Sequence, residues 1–238
     1  MRNYPRSFIL CYNTENFLNP QAMDMVDRAK QFWDKAARKY AKSPVRDQKG
    51  YEKTLNDTKK YLDESKKVLE IGCGTGTTAL LLAPFCKSYT ATDISPEMIQ
   101  IAKERKGTAA VNNVEFYPAE LFDAKIAEQG YDVILAYNLI HLLDDTDTVI
   151  KRVHDLLNPG GIFIAKTACL KEQSVFWPLA AGIVSKIMGI PYLNNYTVDQ
   201  LEDHIQQAGF HILESHLYFP KPTRLFTVAQ KNNQTVQP

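Results

Sequence analysis

The sequence predicts an α/β fold built on a mostly parallel sheet, and three observations predict it. Short apolar runs alternate with helical patterns at roughly 25 residues per repeat, the spacing of strand–helix–strand units. Alternating glycines, Gly72-Cys73-Gly74-Thr75-Gly76, stand between the first of these strands and the helix after it. The last two strands are joined by a link too short for a crossover, so they must pair antiparallel.

Length and composition suit one such domain. The chain has 238 residues, and a 45% hydrophobic content is enough for a substantial core. A net charge of +1 offers no general basic surface for nucleic acid, so no nucleic-acid partner is expected. Cys11, Cys73, Cys86 and Cys169 have neither C-x-x-C spacing nor a zinc pattern, which fits free thiols in a reducing cytoplasm. No metal is expected. The apolar run from Phe8 to Cys11 is too short for a signal peptide.

The elements follow in order. Residues 1 to about 22 read as an irregular arm. From Asp24 to Ala41, Val26, Phe32, Trp33, Ala36, Ala37 and Tyr40 recur mostly at three- and four-residue steps, a helical pattern that Ser43-Pro44 ends. Tyr51 to Leu62 reads as a second helix. Val68 to Ile71 is a short buried strand, followed by the glycine loop and a helix through Leu82. Ser88 to Thr92 is the second strand. Ser95 as N-cap and Pro96 at the first helical position open the next helix. Val114 to Tyr117 and Tyr131 to Ala136 are the third and fourth strands. Thr148 to Leu157 is a helix ended by Asn158-Pro159-Gly160-Gly161, and Ile162 to Ala165 is the fifth strand. Val198 to Ala208 is a helix closed by Gly209, and Phe210 to Tyr218 and Leu225 to Ala229 are the last strands. The domain boundaries read as 1–65 for arm and helical lid, 66–230 for the main domain with an apolar insertion at 174–196, and 231–238 for a polar tail.

The glycine loop carries the chemistry. Glycines permit a tight turn and let a ligand lie against bare backbone. Asp93 ends the next strand, and in such a sheet its carboxylate lies across the crevice where it can accept bonds from ribose hydroxyls. Thr77 stands where a dinucleotide fingerprint has its third glycine, and Glu70 precedes the first glycine by two. An acid there would oppose a pyrophosphate but suits an ammonium or a sulfonium.

At this point the chain resembles the class I S-adenosylmethionine-dependent methyltransferases. VLEIGCGTGTTAL resembles their first motif and ATDISPEMI their second-strand acid. EFYPAELF is similar to the segment after strand three. YDVILAYNLIHLLDD and LLNPGGIFIAKT resemble the strand-four and strand-five motifs. The resemblance covers roughly residues 66 to 230. It implies a Rossmann-like seven-stranded sheet of order 3-2-1-4-5-7-6 with the last strand antiparallel, and S-adenosyl-L-methionine as cofactor. It implies that Gly72, Gly74 and Gly76 contact the methionine part, that Asp93 binds the ribose and that Ile94 flanks the adenine. It also puts Ala119 and Glu120 at the adenine edge and has Ala136 offer its carbonyl to the amino group. FWDKAARKYAKSP resembles an N-terminal lid, which puts Tyr40 over the cofactor; Trp33 and Tyr40 read equally as a packing stripe. Glu120 reads as well as a solvated loop residue.

Methyl transfer is a direct displacement, so no protein nucleophile is required. His141, just after strand four, has two readings: a general base or acceptor ligand, and a histidine that packs beneath the cofactor. The acceptor is expected to be a small molecule. Val175 to Leu193 bears one charge, Lys186, and is interrupted by Pro178, Gly182 and Pro191. A transmembrane span there would tear the last strands from the sheet, so none is expected. The stretch reads either as a cover over a lipophilic or aromatic acceptor, lined by residues such as Trp177 and Met188, or as core or a dimer interface. A non-catalytic binding module and an NAD-linked oxidoreductase are the rival functions.

Overall fold

A computed structural model describes residues 20–123, 126, 130–169, 193–194, 196–218 and 223–232, with side chains from residue 26 onward. The arm up to residue 19, the apolar stretch from residue 170 to 192, the Pro-rich turn at 219–222 and the tail from residue 233 lie outside the described residues.

Seven strands form one sheet. They are β1 (Lys67–Ile71), β2 (Ser88–Asp93), β3 (Val114–Pro118), β4 (Tyr131–Tyr137), β5 (Leu157–Ala168), β6 (Phe210–Tyr218) and β7 (Arg224–Lys231), in the order β3-β2-β1-β4-β5-β7-β6. The pairs β1–β2, β1–β4, β2–β3 and β4–β5 are parallel, while β7 runs antiparallel to both β5 and β6. The fold class and strand order expected from the sequence are those observed.

A strand sends alternate side chains to opposite faces, and here both faces are covered. Val68, Leu135 and Ile164 join one core with Leu55, Ala79, Leu82 and Ile99, under the helices α2 (Gln48–Lys59), α3 (Thr77–Leu82) and α4 (Pro96–Thr108). Leu69, Ile134 and Phe163 join the opposite core with Ile150, Val153, Leu201 and Ile205, under α5 (Thr146–Leu156) and α6 (Val198–Gln207). Each such large aliphatic chain, once fully buried, contributes about 1.5–3 kcal/mol. The helix α1 (Pro20–Ala41) docks on α4 instead of on the sheet: Ala37, Met98 and Ile101 are buried together, with Trp33 and Ala41 beside them.

Several boundaries shift by a few residues from the sequence reading, as where α1 begins at Pro20 rather than Asp24, and two of the shifts have a clear cause. The second helix begins at Gln48, because Asp47 caps it by accepting the Gly50 N–H at 2.9 Å. The Asn158-Pro159-Gly160-Gly161 run is not a loop outside the sheet but part of β5. Tyr131 pairs with Leu157 and Val133 with Ile162, so the whole run bulges opposite the single residue Asp132. Asn158 Nδ2 donates to Asp132 Oδ1 at 2.9 Å, which ties the bulge to β4.

A row of polar contacts pins α2 across the sheet. The Tyr137 and Thr58 hydroxyls lie 2.5 Å apart, Lys166 Nζ donates to Thr54 Oγ1 at 2.6 Å, and Tyr218 OH donates to Asp57 at 2.6 Å. Burial pulls the Lys166 amine down to about 8, with Arg224 adding to the effect. Burial works against the Asp57 carboxylate, yet bonds from Lys53, Lys60 and Tyr218 hold it well below the usual range.

The loop glycine nearest α3 closes this packing. Gly76 has φ +75°, and a Cβ there would lie 2.7 Å from Ala102 Cβ and 2.8 Å from the Phe116 ring. Replacing Gly76 with Ala should cost about 1–3 kcal/mol through overpacking, before any backbone strain is counted. Urea unfolding measures it, and an unchanged midpoint would show that the loop does not pack on α4 and β3 as described.

Candidate active site

The carboxyl ends of β1, β2 and β4 converge where α/β sheets bind ligands. At the β1 end the chain runs through Gly72, Gly74 and Gly76 with φ of 67°, 53° and 75°, the left-handed region that glycine enters without strain. The loop is tied to β2 twice. Cys73 N–H donates to the Thr92 carbonyl at 2.9 Å, and Gly74 N–H donates to Asp93 Oδ2 at 2.8 Å. The second Asp93 oxygen accepts the Ser95 N–H at 2.9 Å, so one carboxylate joins the loop to the start of α4. Burial pushes the Asp93 carboxyl above its ordinary value, and these two bonds oppose that shift.

The three glycines are not equivalent. A Cβ on Gly72 would press 2.9 Å from Leu139 Cδ1, and one on Gly76 would enter the core, whereas one on Gly74 would meet only Tyr40 Cε1, at 3.8 Å. Gly74 therefore opens toward Tyr40, which stands over it at 54% exposure with its ring edge-on to Trp33, 6.4 Å between centroids.

Glu70 lies beneath the loop. It is 2% exposed and accepts the Tyr89 hydroxyl at 2.8 Å. Burial pushes its carboxyl up to about 8, nearby Asp93 adds to the shift, and the Tyr89 bond opposes it. Glu70 thus lies beneath the loop, turned to Tyr89.

The remaining residues named from the sequence fall along the same edge. Ile94 is half-buried at the tip of β2. Ala119 is buried and its N–H donates to the Asp93 carbonyl at 3.1 Å. Glu120 is exposed. Ala136 is fully buried near the end of β4, paired with Ile71 and Ala165.

Beyond β4, Asn138 takes a left-handed φ of 53° and its N–H donates to the Lys166 carbonyl at 2.6 Å. This turn leads into the 3₁₀ turn Ile140–Leu142, which carries His141. Nδ1 of His141 is buried and has no hydrogen-bond partner among the described residues. Burial pulls this imidazole down to about 4, and the Arg224 charge acts in the same direction. The described residues that flank the apolar insertion are fixed near this turn: Cys169 N–H donates to the Thr223 carbonyl at 3.0 Å, and Asn194 N–H to the His141 carbonyl at 2.6 Å. No helix among the described residues is long and apolar enough to cross a membrane, and no cluster among them could hold a metal.

Sequence reading missed Arg105 and Asp34. Arg105 NH1 donates to Thr75 and Thr77, and NH2 to the Ala41 carbonyl at 2.9 Å. Asp34 accepts the Ser95 hydroxyl at 2.6 Å and the Glu97 N–H at 3.2 Å. Arg105 had a sequence signal: it continues the stripe of Met98, Ile101 and Ala102, where a charged residue needs a partner.

Comparison with known proteins gives this geometry a family. A family model described as a methyltransferase domain matches residues 62–213, well over half of the chain. A highly reducing polyketide synthase of Emericella nidulans is 41% identical over 113 residues, which are 41% of this chain and 4% of that protein. The chain thus spans only a small part of that synthase. An uncharacterized methyltransferase of Mycobacterium tuberculosis is 26% identical over 151 residues, 58% of this chain and 75% of its own length. Among solved structures, magnesium protoporphyrin IX methyltransferase from Synechocystis with bound S-adenosylhomocysteine superposes with TM-score 0.67 at 17% identity, covering 88% of this chain and 100% of that one. The N-methyltransferase NodS from Bradyrhizobium japonicum, in complex with S-adenosylhomocysteine, gives 0.63 at 15% identity, covering 87% and 98%. With its sheet order, its left-handed glycine loop and this match, the chain belongs to the methyltransferase domain family, and its fold is the one shared by those two S-adenosylhomocysteine-bound structures.

Proposed function

We propose that the enzyme methylates a small, lipophilic acceptor, which meets the methyl group beside His141 at the carboxyl edge of β4 and β5. The observation that carries this reading is the buried Nδ1 of His141, unpartnered among the described residues. An orphaned polar atom in a buried site costs about 1–3 kcal/mol, and a ligand group that bonds it relieves that cost. The flanking ends at Cys169 and Asn194 support a cover role for residues 174–196 over the same place. Similarity to polyketide synthase segments makes polyketide-like acceptors the first to try. The near-neutral charge and the free, buried thiols Cys73 and Cys86 support a cytoplasmic enzyme without a nucleic-acid partner.

The residues present fit the cofactor. Gly74 offers open backbone under Tyr40, and a Cβ there would intrude on that space. Asp93 uses one bond on each oxygen and keeps lone pairs for ribose hydroxyls. On this reading Ile94, Ala119 and Glu120 border the adenine, and Ala136 lies near the amino group. Gly72 and Gly76 shape the loop, and Glu70 acts from below through its field. When bound, S-adenosylmethionine supplies the electrophilic methyl group, and the chain aligns the acceptor and excludes water.

His141 holds the acceptor rather than taking its proton. An imidazole held near 4 is a weak base at pH 7, and the Arg224 charge opposes the imidazolium that proton transfer would create. An acceptor that is acidic, or that carries its own activation, fits such a site. Screening acceptor classes with methyl-labelled cofactor tests the whole reading. A protein that binds S-adenosylhomocysteine yet labels no small molecule would overturn it.

Four variants examine the parts. Asp93→Ala should weaken S-adenosylhomocysteine at least roughly tenfold by calorimetry, because charge-assisted bonds of about 1.5–3 kcal/mol are lost. Wild-type affinity would remove Asp93 from the site.

His141→Gln should lower kcat/KM for the acceptor roughly tenfold while cofactor affinity stays within about twofold. The same residue gives a pH signature. Its folded value of about 4 lies below the ordinary 6.5, so the unfolded chain binds the extra proton as pH falls through that window. Wild-type Tm should therefore fall between pH 6.5 and about 4 more steeply than that of the Gln variant. Parallel Tm curves would contradict the buried neutral imidazole.

Trp177→Ala or Met188→Ala, within the stretch read as a cover, should impair acceptor kinetics and spare cofactor affinity. Joint loss of stability and cofactor binding would mark the stretch as core.

A further inference from the structure

We infer that Arg105 is a positioning residue that couples the lid helix α1 to the glycine loop, so that lid docking and cofactor affinity depend on one guanidinium. The proposal rests on the assignment of Gly74 and Tyr40 to the cofactor site.

The contacts of Arg105 span three elements. Its NH1 donates to Thr75 O at 3.1 Å, to Thr75 Oγ1 at 2.6 Å and to Thr77 Oγ1 at 2.6 Å, which grips the loop and the first turn of α3. Its NH2 donates to the Ala41 carbonyl at 2.9 Å, at the last residue of α1. Ala41 directly follows Tyr40, the residue that stands over Gly74. The planar fork thus fixes the distance between the wall that Tyr40 forms and the floor that Gly74 forms. A lysine offers one nitrogen and cannot serve both sides in that geometry.

The other α1–α4 contacts hold the lid without reaching the loop. Arg38 pairs with Glu97 at 2.6 Å and Glu104 at 3.4 Å, and these groups are largely exposed, so their contribution is small. Asp34 caps the start of α4 through Ser95 and Glu97. Arg105 differs because none of its acceptors is a carboxylate. Among the described residues it has no ion pair, and its charge is spent on neutral oxygens of the loop and the lid. Thr75 is 5% exposed, so these bonds are partly shielded from water.

Coupling between two elements is read by a double-mutant cycle. We would measure S-adenosylhomocysteine affinity by calorimetry for wild type, Arg105→Lys, Tyr40→Ala and the double variant, with Tm for each. Thr77→Val serves as a second single variant that leaves Arg105 intact. Arg105→Lys should weaken binding roughly tenfold, and the double variant should be no weaker than the worse single by more than about twofold. Thr77→Val should weaken binding in the same direction. Amide exchange in residues 26–41 should slow on ligand addition in wild type and slow less in Arg105→Lys. A merely structural Arg105 would lower Tm and give additive affinity losses. Additive losses, or wild-type affinity in Arg105→Lys, overturn the inference. If Tyr40→Ala alone binds as wild type, the placement of the lid over the cofactor fails first, and the coupling falls with it.

Discussion

Asp93 accepts one backbone N–H from the glycine loop and another from Ser95, the N-cap of α4, and the geometry of the site follows from those two hydrogen bonds. The parallel register of β1 and β2 brings Asp93 level with the loop, with Ile71 paired to Thr92. The loop must then enter the left-handed region three times to present Gly74 N–H to the carboxylate, and only glycine does so freely. The same carboxylate leaves Ser95 placed as N-cap of α4. From α4 comes Arg105, and on α4 rests α1 with Tyr40. Loop, ribose-binding acid, lid and clamp are therefore one connected construction rather than separate motifs.

Much of this was legible in the sequence, for definite physical reasons. Val68 to Ile71 and Tyr131 to Ala136 read as strands because their residues are apolar and buried on both faces, with a single acid in each run, Glu70 and Asp132. The antiparallel β7 followed from the short link alone. Ser95-Pro96 marked the start of α4 because a cap and a fixed φ are local properties. What could not be read depended on residues brought together from afar. The Asn158–Gly161 run carries every sign of a turn, and only pairing with β4 makes it a bulge in β5. The division of labour among the three glycines depends on what stands opposite each, namely Leu139, Tyr40 and the pair Ala102–Phe116. Asp34 and Arg105 act across 61 and 64 residues of sequence, to Ser95 and Ala41, a separation that no local pattern records.

The electrostatics of the site point to a cationic occupant. Glu70 and Asp93 flank the glycine loop, each raised above its ordinary value by burial, with Asp93 adding to the shift on Glu70 and Asp34 to that on Asp93. Among the described residues neither takes part in an ion pair, although Lys53 and Lys60 both serve Asp57 nearby on α2. Two poorly solvated acids without a cation form a site whose energy falls when positive charge arrives, since an opposite charge favours the carboxylate form. S-adenosylmethionine brings an ammonium and a sulfonium, whereas the product after transfer keeps only the ammonium. On the proposed placement the protein therefore favours the charged reactant over its less charged product by part of the interaction with the sulfonium. Burial and the Arg224 charge both disfavour a proton on His141.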